Sequence, residues 1–444
     1  MTPPTPAADA ASDNASLLRR LLAVRGDERA LVLLAGAYFF FVLASYYVLR
    51  PIRDEIGALG GGEHLPWLFL GTLAATLALN PLFGALVARL PRARVATWSC
   101  RALAACLVVF FALLRDPAAA PAWVAPVFFV WVSVFNLFAV SLFWSVMADA
   151  FRSDQARRLF GMIAAGGTLG GIVGGLLTGW LAGWIGAAPL LLVSAVLLEC
   201  ALHAMRALSA RAAARTREQA RIEPAAVGGG AFAGLAHVVR SPYLAGIALY
   251  IALFTIGSTF LYYLQAQIVA AAFADRAARI AYFANVDVAV NTATLLIQLF
   301  VTGRLFDRIG TTAMLCLLPL LSVAGFLAIA AMPVLGVLVA FQVLRRTCDF
   351  ALMRPARESL YVPLAREDKY KTKNVVDTFV YRSGDQVGIW AQGGLVALGL
   401  GVPGVALAAV PLAGAWLALA LWLGRRHARL LHETPPVATA SAAT

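Results

Sequence analysis

Charge is what this sequence has least of. Only 13% of its 444 residues are charged, where a soluble chain carries about a quarter. That excludes an ordinary water-soluble globule. Lysine is nearly absent: Lys369, Lys371 and Lys373 stand against 33 arginines, a bias that suggests a GC-rich genome and a free-living bacterium. Cysteine is scarce and odd in number. Cys100, Cys106, Cys200, Cys316 and Cys348 lie in or beside apolar stretches, so neither a disulfide framework nor a metal site is expected. The five histidines are scattered. There is no nucleophile triad and no phosphate-cradling glycine loop, so the expectation is a protein that is not an enzyme and takes no cofactor.

Hydrophobic residues are abundant instead, at 61%, with a mean hydropathy of +0.80. They fall in long blocks, each near the roughly 20 residues that cross a bilayer. Twelve blocks are expected, at about 30–49, 65–88, 95–114, 121–148, 160–182, 187–208, 243–267, 279–302, 312–331, 333–353, 374–399 and 402–424. The first follows a polar, Ala-rich stretch and lacks a cleavage site, so it reads as a span rather than a signal peptide. The extreme N-terminus and the tail after Glu433 have the composition of disordered segments.

Arginine placement orients these blocks. The N-terminus, the even-numbered turns and the C-terminus, together with Arg101 and Arg206 in the adjoining blocks, hold 28 of the 36 Lys and Arg. The opposite side holds five (Arg50, Arg53, Arg115, Arg276 and Arg279), and Arg345, Arg346 and Arg382 fall inside blocks. Short basic loops stay in the cytoplasm, so both termini are expected there, in a bacterial inner membrane. The net charge of +13 is then mostly a topology signal. It is spread over many short loops, which argues against a nucleic-acid partner; membrane lipid is the expected contact.

The chain divides at residues 209–242, its longest polar stretch between blocks. The expected organisation is a polar N-terminus (1–29), a six-helix bundle (30–208), a cytoplasmic linker (209–242), a second six-helix bundle (243–424) and a cytoplasmic tail (425–444). Within the linker, Phe232 to Arg240 has the pattern of an amphipathic helix on the inner leaflet. The two parts echo one another. Gly303-Arg304-Leu305-Phe306-Asp307-Arg308-Ile309-Gly310 reads G-x-x-x-D-R-x-G, and Gly84 to Arg94, with Arg89, is a degraded copy 219 residues earlier. Asp154-Gln155-Ala156-Arg157 and Asp368-Lys369-Tyr370-Lys371 form a second pair, offset by 214. The first motif resembles the turn between the second and third helices of each half in major facilitator transporters. That resemblance implies two parallel halves with a midplane substrate site, and a conformational gate at Gly84, Arg89, Gly303, Asp307, Arg308 and Gly310. Two such turns alike by chance is the alternative.

The fifth block carries two rows of small residues, Gly166, Gly170, Gly174 and Gly167, Gly171, Gly175, Gly179. Such rows let backbones approach closely, either for packing alone or as a sliding surface.

A charge inside a membrane usually faces a cavity or a partner. In block 8, Asp287, Asn291, Thr294 and Gln298 fall on one helix face. Block 10 carries Gln342, Arg345, Arg346 and Asp349; block 11 carries Asp377, Tyr381, Arg382 and Asp385. Arg345 with Asp349, and Arg382 with Asp385, have spacings that permit pairing within a helix. Otherwise Arg346 and Arg382 would hold a carboxylate or phosphate, while Asp287, Asp349, Asp377 and Asp385 would neutralise them or carry protons. Tyr262, Tyr263 and Trp144 are either ring-stacking or packing aromatics. Arg50 and Arg53, where the first block ends, are either anion attractors at the outer mouth or interfacial anchors.

Leu49-Arg50-Pro51-Ile52-Arg53-Asp54 resembles the end of the first helix in the ATP:ADP antiporter (nucleotide translocase) family, whose pattern is L-R-D-x-K-D. Glu358-Ser359-Leu360-Tyr361-Val362-Pro363-Leu364, Lys371-Thr372-Lys373-Asn374-Val375-Val376-Asp377, Arg382-Ser383-Gly384-Asp385, Phe143-Trp144 and Arg157-Arg158-Leu159-Phe160 are also similar to that family. The resemblance implies a carrier exchanging or importing anions, with Arg53 and Arg382 on phosphate and Asp287 as the acidic residue of the eighth helix. Pro51 and Arg53 depart from the family's Asp and Lys.

The expected fold is thus an all-α membrane protein of twelve transmembrane helices. The expected function is alternating-access transport of a small anionic solute by exchange or symport, by a monomer. Arg53, Arg346, Arg382, Asn291, Gln298 and Tyr262 are the candidate substrate contacts. A proton-coupled carrier of neutral or cationic solutes is the alternative, and a non-transporting sensor or scaffold the remote one.

Overall fold

In the bilayer core no water is present to satisfy backbone N–H and C=O groups, so a spanning segment must satisfy them internally, which a helix does. The chain follows that rule. A computed structural model describes residues 28–89, 92–116, 119–151, 153–217, 241–364, 372–373 and 375–433, and among them there is no strand. In order they form α1 (Arg29–Ala58), α2 (Leu65–Arg89), α3 (Arg92–Leu114), α4 (Val124–Ala150), α5 (Ser153–Ile185) and α6 (Ala187–Arg217). Then follow α7 (Pro242–Ala272), α8 (Arg276–Phe300), α9 (Thr302–Ala331), α10 (Leu335–Cys348), α11 (Tyr381–Ala397) and α12 (Val402–Glu433). Nine of the described helices are long and apolar enough to cross a membrane. The protein is an all-helical, multi-pass membrane protein. Most of the N-terminal stretch, Phe232 to Arg240, the Asp368-to-Lys371 echo, Asn374 and the end of the tail lie outside the described residues.

Several helices run past their hydropathy limits. α1 was expected to stop at the first charge, near residue 49, but continues through Pro51 to Ala58. Hydropathy ends a span where charge begins; here the charges are paired and buried, so the helix has no reason to stop. α12 likewise extends to Glu433. At α9, Thr302 to Ile309 are already helical, and Gly310 breaks the helix at φ 70°, ψ 173°. A side chain rarely adopts that conformation, which gives the last glycine of the G-x-x-x-D-R-x-G motif a local reason. α10 continues into a π-turn, Asp349–Met353, and a short helix, Arg354–Ser359. α11 is preceded by a second π-turn, Val376–Val380.

The chain forms two compact units. The first is Met1–Ile56, Ala74–Glu223 and Asp275–Leu295; the second is Gly57–Leu73, Pro224–Ala274 and Leu296–Thr444. In the first, an aromatic stack closes α1 on α4: Phe39 lies on Phe143 at 4.0 Å between ring centroids, and Trp144 meets both edge-on. Trp144 is thus a packing residue, joined by Phe160 at 5.3 Å. Ser45 and Ser194 exchange hydroxyl-to-carbonyl hydrogen bonds of 3.1 and 3.0 Å between α1 and α6. The glycines of α5 split by partner. A methyl group at Gly166 would stand 2.6 Å from the Gly36 carbonyl oxygen, one at Gly174 2.5 Å from that of Ala44, and one at Gly170 would strike the Phe40 carbonyl. That row packs on the backbone of α1. Gly171, Gly175 and Gly179 face α8 instead, against Asn291, Val288 and Asn285.

The second unit packs Tyr250, Phe254, Leu315, Leu318, Met353 and Trp416 in one apolar core. The Tyr250 hydroxyl donates to the Leu315 carbonyl at 2.8 Å. The segment Glu358 to Leu364 is part of this framework. Lys373 pairs with Glu358 at 2.7 Å, and the Tyr243 hydroxyl donates to the Leu360 carbonyl at 2.9 Å.

Candidate functional site

Helical spacing arms α1 with alternating charge. Arg50 and Asp54 are four residues apart and so lie on one face, and they pair at 3.5 Å. Arg53 donates to the other oxygen of Asp54 from Nε at 3.1 Å and from Nη2 at 3.0 Å. Its Nη1 reaches the Ser133 hydroxyl at 3.5 Å, and its guanidinium lies 4.9 Å over the Phe129 ring of α4. From α8, Asp287 accepts from Arg50 Nη1 at 3.0 Å. Asp287 is 1% exposed. Arg53, Asp54, Arg50 and Asp287 therefore make one run of alternating charges between α1 and α8.

One residue along α1, Glu55 is fully buried and receives two arginines from the first turn of α8. Arg276 reaches it at 3.1 Å and Arg279 at 3.0 Å. Four guanidiniums thus meet three carboxylates in this part of the first unit. α8 is brought this close by the small face of α5: Gly171 and Gly175 leave no side chain between the two backbones. In low-dielectric surroundings such pairs hold only with good geometry, and removing one partner leaves the other stranded.

The remaining expected residues fall in other settings. Asn291 is buried and donates to the Asp287 carbonyl at 2.8 Å, one turn back on its own helix. Gln298 continues that face but is exposed, and donates to the Phe350 carbonyl at 3.1 Å. Tyr262 lies edge-on to Phe69 at 5.7 Å between ring centroids. Arg346 is half-buried with its guanidinium 5.9 Å from the Phe350 ring. Arg382 pairs with Asp385 at 3.5 Å, as the spacing of three allowed, and Asp385 also accepts from the Thr259 hydroxyl at 3.4 Å. Asp377 pairs with Arg357 at 3.6 Å, near the helix end. Of the gate motif, Arg89, Gly303, Asp307 and Arg308 are exposed and Gly310 is the helix break. Gly84 lies within α2, and what surrounds it is outside the described residues.

One local expectation is corrected. Asp349 does not pair with Arg345 four residues before it; it pairs with Arg354, five residues after it, at 3.5 Å. The Asp349 N–H keeps its ordinary α-helical bond to the Arg345 carbonyl, and Arg354 is brought to Asp349 by the π-turn. Its backbone bonds link residue i to i+5, and the Arg354 N–H indeed reaches the Asp349 carbonyl. Arg345 turns instead to neutral acceptors: the hydroxyls of Ser322 (3.2 Å) and Ser258 (3.1 Å) and the Phe254 carbonyl (3.4 Å).

Sequence reasoning singled out Arg50, Arg53 and Asp287 but not Asp54, which joins the two arginines, nor Glu55 with Arg276 and Arg279. The signal was present as R-x-x-R-D-E in α1 and R-x-x-R at the start of α8, at helical spacing. Placing the end of α1 at residue 49 concealed it. Among the described residues no group of His, Cys, Asp and Glu is arranged to hold a metal ion.

No family model and no curated protein matches the chain. Solved structures do. The nucleoside transporter NupG superposes with a TM-score of 0.59 at 15% identity, covering 92% of this chain and 99% of that one. A bacterial homolog of the human lysosomal transporter Spinster, in an inward-facing and unoccupied conformation, superposes with a TM-score of 0.58 at 16% identity, covering 93% and 99%. This is the major facilitator fold. A second NupG structure, of a point mutant, matches equally well over 90% of this chain. In this fold the paired charges of α1 and α8 join the two helices through Asp287 and Glu55, both buried.

Proposed function

We propose that the protein is a secondary transporter that moves a small organic anion by exchange or symport. In this reading it has twelve spans in two six-helix halves, both termini in the cytoplasm, and sits in a bacterial inner membrane. The observation that carries the reading is the Arg50–Asp287 pair at 3.0 Å, continued through Asp54 to Arg53. Carboxylates already occupy both arginines. A carboxylate or phosphate of the solute has the same charge and the same bidentate geometry, so it takes a guanidinium by displacing its resident acid. Asp287, once displaced, is left buried, and a proton neutralises it at less cost than an unpaired charge. Exchange of one anion for another avoids that proton; symport uses it.

The major facilitator fold of the neighbours supports the transporter class, and the resemblance of Leu49 to Asp54 to the ATP:ADP antiporter family supports an anionic, nucleotide-like solute. Among the second unit's arginines, Arg382 is engaged by Asp385 on its own helix. We therefore assign the main anion contact to Arg50 and Arg53 rather than Arg382. Asn291, Gln298, Tyr262 and Arg346 are secondary candidates.

Uptake into proteoliposomes tests this. Vesicles preloaded with ADP, glucose 6-phosphate, malate or uridine would be offered the same compound in labelled form. The expected outcome is exchange of one of the anions, reduced at least 100-fold by Arg50→Gln. Movement of uridine alone, insensitive to Arg50→Gln, would replace the anion reading by a neutral-solute carrier.

A further inference from the structure

Arg345 is the residue of the second unit that the foregoing leaves unexplained. It is 4% exposed, deep in a hydrophobic unit, and no carboxylate among the described residues lies within ion-pair distance of it. Asp349, one turn on, acts on it through space but gives its direct ion pair to Arg354. Three helices supply its contacts: Ser258 and the Phe254 carbonyl from α7, Ser322 from α9, and its own α10. All of these acceptors are neutral. They also use only part of the guanidinium. A guanidinium carries five N–H donors; Nε serves Ser322, and Nη2 serves Ser258 and the Phe254 carbonyl. Nη1 donates to no described residue. The Phe254 ring supports the group from one side, 5.3 Å from its carbon.

A buried arginine without a counter-charge is a poor structural device, because apolar side chains of similar size often replace buried charge without loss. Inside a membrane protein, such a charge marks a site for a ligand of the opposite sign. Two more polar side chains stand near it along the helices. Gln342, one turn before Arg345 on α10, donates its amide to Gln265 of α7. Hydroxyls, amides and two open N–H donors around one positive charge match a carboxylate or a phosphate.

We propose that Arg345 is the second unit's anion-binding residue, its Nη1 edge taking a carboxylate or phosphate group of the transported solute, with Ser258 and Ser322 holding the guanidinium in place. This rests on the anionic reading above and adds a residue to it. It also gives the two arginine sites different roles: Arg50 gives up a resident acid to bind, whereas Arg345 waits with no acid bonded to it.

The test is a thermal-shift series on the purified full-length protein in detergent, with ADP, glucose 6-phosphate, malate, inorganic phosphate and uridine as probes. A ligand that binds only the folded state raises apparent stability with ln(1 + [L]/Kd). The expected result is stabilisation of the wild type by one of the anions. Arg345→Met should then melt at or above the wild-type temperature without ligand, and bind that anion at least tenfold more weakly. If Arg345→Met melts lower and the anion still binds as before, Arg345 is a structural clamp and the proposal falls, while the transporter reading stands. If Arg345→Met does not fold, Arg345→Lys decides: it keeps the charge but loses the fork, so weaker anion binding supports the site and unchanged binding overturns it. Stabilisation by uridine and by none of the anions would instead overturn the anionic reading itself.

Discussion

The two units handle buried arginine in opposite ways. In the first, Arg50, Arg53, Arg276 and Arg279 are met by Asp54, Glu55 and Asp287 across α1 and α8. In the second, Arg345 is met by two hydroxyls and a carbonyl. In the first arrangement each acid holds one or two arginines, so removing an acid weakens the hold on every arginine it meets. The second carries a net charge already, so removing it strands nothing. Charge in this membrane protein is thus of two kinds: half-buried arginines met by buried acids in the first unit, and the buried Arg345 met by neutral groups in the second.

The sharpest way to break this comparison is to open the first unit's network. Asp287→Asn removes Arg50's partner on α8 while leaving the shape of the side chain. Breaking one side of a buried pair costs about 3–5 kcal/mol, and that loss should appear in denaturant titration of the detergent-solubilised protein. Arg50→Met with Asp287→Leu, which removes both charges together, should recover most of it. Equal losses for Asp287→Asn and Arg345→Met would erase the distinction between the units.

A middle-sized effect concerns how the network is brought together. Gly170→Ala places a methyl on the Phe40 carbonyl, and overpacking of this kind costs about 1–3 kcal/mol. Gly161→Ala, on the same helix with nothing within 4 Å, should be neutral or stabilising by up to about 1 kcal/mol. Melting temperatures of the two variants side by side would show whether contact, rather than helix propensity, sets the glycine rows of α5.

The smallest effect is expected at the second unit's rim. Arg354 is 56% exposed and holds Asp349 at 3.5 Å. An exposed pair contributes less than about 1 kcal/mol, so Arg354→Gln should shift the melting temperature little. A larger fall would mean that Asp349 depends on Arg354 as closely as Asp287 depends on Arg50.

The helices themselves were legible early. Long apolar blocks with few charges give the same answer in any environment that lacks water, so the blocks at 121–148, 187–208 and 243–267 correspond to α4, α6 and α7. The charge-bearing ends were not legible. Arg50 to Glu55 looked like the edge of a span because hydropathy weighs each charge as if it met lipid or water, not another charge. The Arg382–Asp385 pair could be read from its spacing of three. The Arg345–Asp349 spacing of four is kept, but the π-turn that follows brings Arg354 to Asp349, and no spacing in the sequence announces that partner. Trp144 was ambiguous as a single letter and became a packing residue only beside Phe39, Phe143 and Phe160.

By itself the sequence determined that this chain is helical, membrane-embedded and rich in small-residue contact rows, since these follow from composition and periodicity alone. Which arginine meets which acid was decided only by tertiary structure. A helix face can be read from spacing, but its rotation toward a neighbour is set by packing. The small face of α5 lets α8 pack closely enough for Asp287 to meet Arg50 at 3.0 Å, while a π-turn gives Asp349 to Arg354 and Arg345 stands among hydroxyls.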